Sequence, residues 1–103
     1  MMNYKLTDAT EMAIKHPDTF EAPSFEEIQE LEVGNFVKLC FENPDEKNRL
    51  GSERMRVKVT MILKENTITK IHGDLDNDPV VVDLKLGDKI IFEPRHIYSI
   101  MPG

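Results

Sequence analysis

The stretch that most constrains the fold is Arg54–Lys64. Met55, Val57, Val59, Met61 and Leu63 recur at every second position, with Arg54, Arg56, Lys58, Thr60 and Lys64 between them. Ile62 alone breaks the alternation. Successive side chains of a strand point to opposite faces, so the pattern predicts a long antiparallel strand with one dry face and one wet, basic face. The remaining apolar segments are expected to cover the dry face.

Those segments fall into a readable order. Asp8 and Glu11 make a D-x-x-E helix start, with Ala9, Met12, Ala13 and His16 on one face, and Pro17 ends the helix. Pro17–Pro23 is an extended connector whose only large anchor is Phe20. Ser24 and Glu27 form a second capping box, with Phe25, Ile28 and Leu31 at helical spacing and an end near Gly34. Asn35–Glu42 alternates again and reads as a strand with Val37, Leu39 and Phe41 on one side. Asn43–Ser52, polar and carrying Pro44 and Gly51, is expected to be a mobile loop. After the long strand, Lys64–Thr67 is a tight turn in which Asn66 takes positive φ. Ile68–Leu75 returns with Thr67, Thr69, Ile71 and Leu75 on one parity. An acidic loop over Asp74–Pro79, a short strand at Val80–Val82, a strand at Lys89–Glu93 stopped by Pro94, and a last short element carrying Ile97, Tyr98 and Ile100 complete the chain.

Leu31–Leu39 and Leu84–Phe92 share one pattern: an apolar residue, Gly34 or Gly87, Asn35 or Asp88, then a strand. This is repeated turn chemistry, with Gly taking positive φ and the Asx side chain closing the turn. The expected fold is α+β: two short N-terminal helices followed by a bent antiparallel sheet of about five strands, a partly open, SH3-like barrel. At 103 residues the chain makes a single domain, with residues 1–23 as helix and connector and 24–103 as the core.

Thr19–Ser24, Gly34–Leu39, Glu53–Val59, Gly73–Pro79 and Leu86–Ile97 resemble a family of small bacterial domains of unknown function, the YegJ-like group. The resemblance leaves out the first helix. The family pattern usually carries a Trp where Arg56 stands. It implies a bacterial, single-domain protein and no particular activity.

The net charge of −6, from nineteen carboxylates against thirteen cations, argues against nucleic acid and against an anionic membrane as partners. It suits a basic protein partner, or solubility alone. With Cys40 as the only cysteine there is no internal disulfide, and no apolar run is long enough for a signal peptide or a bilayer span, so a cytoplasmic location is expected.

Chemistry-bearing residues are few. Asp74-x-Asp76-x-Asp78 imitates the opening of a calcium loop, but Pro79 stands where Gly is required and Lys85 where the bidentate Glu is required. No metal or cofactor is expected. Cys40, His16, His72 and His96 show no zinc spacing, and no base or oxyanion hole can be placed beside Cys40, so no catalytic residue is assigned. The basic strand face pairs with neighbouring carboxylates or meets an acidic partner. The best candidate site is the rim where the last strand ends. Arg95 can grip a carboxylate or phosphate, His96 can titrate near neutrality, and His72 with Asp74 and Asp76 would complete the edge. The opposing reading makes Arg95 an internal ion pair and His96 a cap. The function expected is a non-enzymatic binding module with a protein partner. An immunity-type inhibitor of a basic toxin is the alternative, and a small hydrolase comes third.

Overall fold

The computed structural model describes residues 4–43, 52–79 and 84–101. The loop expected over Asn43–Ser52, apart from its two end residues, and the strand expected at Val80–Val82 lie outside the described residues.

The long strand is present as β3 (Ser52–Glu65), hydrogen-bonded on one side to β2 (Phe36–Glu42) and on the other to β4 (Ile68–Leu75). β4 in turn pairs with β5 (Lys89–Phe92). β1 (Lys5–Leu6) and β6 (Ile97–Met101) share the other edge of β2. β1 pairs with the Phe41–Glu42 end and β6 with the Phe36–Leu39 end. The result is a curled antiparallel sheet of six strands, a half-barrel open between β1 and β5. Its concave face is lined by Val37, Leu39, Phe41, Val57, Val59, Ile71, Leu75, Ile90, Phe92 and Ile97, all buried as the period-two pattern requires.

Three details differ from the sequence expectation. β1 precedes the helices, where the sequence predicts helices first. Its ladder covers the end of β2 and places Tyr4 against Phe41, with ring centroids 5.3 Å apart. The second difference is inside β3. The register steps from Val59 opposite Gly73 to Met61 opposite His72, so Thr60 is the extra residue of a bulge. The Thr60 hydroxyl donates to the His72 carbonyl at 3.2 Å. Past the bulge the parity inverts. Ile62, the breach in the alternation, turns inward opposite Ile71 and packs against the core, while Met61 and Leu63 stand about half exposed on the convex face. The third concerns the acidic loop alone: β4 has the expected bounds, Ile68–Leu75, so Asp74 is strand and the loop begins after Leu75.

The helices form where the caps are. α1 (Ala9–Lys15) starts on the Asp8 carboxylate, which accepts from the Glu11 N–H at 2.9 Å. α2 (Phe25–Gln29) carries a complete capping box between Ser24 and Glu27. The connector between them is pinned by Phe20, which meets the Tyr98 ring at 5.8 Å, and by the Tyr98 hydroxyl, which donates to the Thr19 carbonyl. The two echoed turns are the same device. Gly34 and Gly87 have φ of 98° and 90°, and the Asn35 and Asp88 side chains each accept the N–H three residues back. Each turn docks on a strand through a reciprocal pair of bonds, with Val59 for the first and Leu75 for the second.

Candidate functional site

Pro94 stops β5 and opens a single 3-10 turn, Pro94–His96, which hands the chain to β6. His96 is 9% exposed, and its Nδ1 accepts the Glu93 N–H at 3.0 Å. Burial first, and the neighbouring Arg95 guanidinium second, hold its pKa below the ordinary value. Arg95 reaches Asp8 (Nη1 to Oδ2, 3.2 Å) and Glu93 (Nε to Oε1, 3.5 Å), and Glu93 also takes Lys70 Nζ at 3.0 Å. The Asp8 hydrogen bond, then the Glu93 one, raises the Arg95 pKa further. A line of charges, Asp8, Arg95, Glu93 and Lys70, therefore ties the start of α1 to the end of β5 and to β4. Arg95 and His96 are brought together, and both make the scaffold contacts of the opposing reading.

His72, Asp74 and Asp76 are elsewhere. His72 and Asp74 have the outward parity of β4, His72 between Met61 and Ile91, and Asp74 paired with Lys89 at 2.6 Å. Asp76 holds Arg56 at 2.8 Å, and the Asn77 side chain accepts the Arg56 N–H. The basic face of β3 is thus used internally in part. Arg56 also lies over Phe36, and Arg54 lies over Tyr98 at 4.3 Å and over Phe20. Among the described residues no group of three His, Cys, Asp or Glu side chains is placed to hold a metal ion.

Arg95 borders several clefts, two of them larger than the rest, and His72, Asp74 and Asp76 line none of them. One lies in the open seam between β1 and β5, bordered by Tyr4, Thr7, Asp8, Ile91 and His96. There burial, and secondarily Asp88, raise the Tyr4 pKa. The other, of about 440 Å3, is the apolar groove at the mouth of the half-barrel. α2 walls it with Phe25, Ile28 and Leu31, Ile62 and Ile71 lie at its base, and Pro23, Pro94, Thr69, Lys64 and Arg95 complete the rim. Ile28, Leu31 and Ile62 are half-buried against the core, whereas Phe25 is 78% exposed. An apolar concavity with a few polar groups at its edge is the usual form of a ligand site.

Sequence reasoning found Arg95 but missed the groove. It assigns Phe25, Ile28 and Leu31 to a single apolar stripe, and the five-residue α2 is too short to bury all three. The Ile62 breach was the available signal, because an inward Ile there is what gives the groove its floor.

No known protein family, curated protein or solved structure matches this chain. No helix among the described residues is long and apolar enough to cross a membrane.

Proposed function

We propose that the protein is a non-enzymatic interaction module, a partly open barrel of SH3-like type whose mouth receives an apolar segment of a protein partner. The strand order supports the barrel reading: β2 to β5 form a meander, a 3-10 turn follows, and β6 returns to β2. The observation that carries the binding reading is Phe25. A large aromatic held 78% exposed beside a groove floored by Ile62 and Ile71 has no role in closing the core. A non-enzymatic role is supported by the groups that a nucleophile and base would use. Cys40 is buried in β2, and the His96 Nδ1 is occupied as a cap.

The test is comparative capture from the native cell with wild-type protein and Phe25→Ala. The expected result is one protein retained by the wild type and lost on Phe25→Ala, with both baits melting at the same temperature. Equal retention by both would move the binding surface away from the groove.

A further inference from the structure

We infer that the outer face of β2 and β3 binds an acidic, extended segment of a protein partner, one with Asp or Glu at alternate positions. This surface is separate from the groove, and the inference stands independently of the groove reading. The antiparallel register gathers four cations there. Lys38 lies directly opposite Arg56, and Arg54 and Lys58 stand two positions before and after Arg56 on β3. All four are exposed, while Val37, Leu39, Met55 and Val57 between them are buried, so the four share the outer face. On its other side Lys38 meets Ser99 of β6. Among the described residues, therefore, no carboxylate occupies a ladder position beside Lys38, and three cations do.

Like charges directly opposite one another destabilise a sheet, and the chain compensates these only in part. Asp76 pairs with Arg56, whereas Lys38, Arg54 and Lys58 make no ion pair among the described residues. Lys58 lies opposite Asp74 on β4, but Asp74 is held by Lys89. The Arg54 guanidinium rests on the Phe20 and Tyr98 rings, which hold it in place without neutralising it. The patch is thus a local positive field on a chain of net charge −6. Outward side chains of a strand follow one another at about 7 Å, and so do alternate side chains of an extended peptide. Carboxylates at every second position can therefore meet Arg54, Arg56 and Lys58 in turn, with Lys38 beside the middle one. A nucleic-acid strand fits less well. The rings on this face, Phe20, Tyr98 and Phe36, already carry Arg54 and Arg56 and are not free to stack on bases. The net charge also repels a long polyanion.

The experiment is selection of a random peptide display library on immobilised wild-type protein at low salt. Affinities of the enriched acidic peptides, and of oligothymidylate, are then measured for wild type, for Lys38→Gln with Lys58→Gln, and for Lys5→Gln with Lys85→Gln. The last variant removes the same charge away from the patch. Lys38 and Lys58 are exposed and their loss relieves repulsion, so the patch variant is expected to melt no lower than wild type. The expected result is a set of peptides with Asp or Glu at alternate positions. Their affinity should fall about threefold to tenfold in the patch variant, should weaken with salt, and should hardly change in Lys5→Gln with Lys85→Gln. No enrichment of such peptides, or equal binding by the patch variant, would overturn the inference. Oligothymidylate bound more tightly than any peptide, and lost in the patch variant, would overturn it in favour of a nucleic-acid strand.

Discussion

Gly73 tests the packing of the half-barrel at its tightest point. It lies in β4 between Val59 of β3 and Ile90 of β5, next to the Thr60 bulge. A Cβ built there would stand 2.4 Å from Val57 Cγ1 and 2.7 Å from the Lys58 carbonyl oxygen. Val57 is fully buried and β-branched, so it has little freedom to turn away. The carbonyl is backbone and yields only if β3 and β4 separate. Overpacking of this kind costs about 1–3 kcal/mol, and a backbone obstacle puts Gly73→Ala at the upper end. The conformational gain of Ala over Gly in a strand offsets about 0.5–1 kcal/mol of that. The net loss is about 2 kcal/mol, or about 8–16 °C in melting temperature for a domain of this size. Gly34→Ala is the comparison. Nothing lies within 4 Å of its Cβ, and its φ of 98° carries a conformational cost alone, about 1–2 kcal/mol. Urea and thermal unfolding of both variants measure the difference. A Gly73→Ala protein as stable as wild type would refute the strand register on which the groove is built.

The bulge makes a second prediction. Ile62→Ser should cost about 1–2 kcal/mol because Ile62 packs inward, whereas Met61→Ser should change stability by no more than about 0.5 kcal/mol because Met61 is half exposed. The reverse order in urea unfolding would restore the unbroken alternation. Stability should also fall in two steps on acidification. The pKa of His96 is lowered by burial from its ordinary 6.5, so the unfolded chain binds more protons below that pH and stability declines from there toward the folded value. His96→Gln should flatten this first step in unfolding midpoints measured between about pH 7 and pH 5. The second step comes from carboxylates. The Lys70 hydrogen bond, then Arg95, lowers the Glu93 pKa. For Asp8, burial acts upward but is outweighed by the Glu11 N–H and Arg95. Their contribution is complete above their ordinary values and is lost as pH falls through the lowered ones. A single acid transition that His96→Gln leaves unchanged would contradict the assignment.

What was legible in the sequence followed from local chemistry. The N-cap at Asp8, the capping box at Ser24, positive φ at Asn66, and the paired Gly turns at Gly34 and Gly87 are each written in a few adjacent residues, and each is present, although Glu11 pairs with Lys15 and does not close a box on Asp8. So is the inward row of Val37, Leu39 and Phe41. The illegible parts depend on long-range pairing. β1 is two residues long and exists only because the end of β2 has an open edge to pair with. The bulge that turns Ile62 inward is set by where β4 meets β3, and it moves Met61 and Leu63 from the expected core to the surface. Arg95 and His96 were found as neighbours in sequence, but their partners, Asp8 and the Glu93 N–H, come from the folded end of β5 and the distant start of α1. His72, Asp74 and Asp76 would join them if the sheet order laid the Gly73–Asp74 stretch beside the end of the last strand, but strand parity sends His72 and Asp74 to the convex face, and Asp76 holds Arg56.

The mouth of the half-barrel, and not its convex face, is the surface proposed to bind the apolar segment. Amide and methyl chemical-shift mapping of the protein with an apolar peptide selected on it tests this most directly. The largest changes are expected at Phe25, Ile28, Ile62, Thr69 and Ile71, with His72, Asp74 and Asp76 unmoved. Changes centred on His72, Asp74 and Ile91, with the α2 signals unaffected, would contradict it.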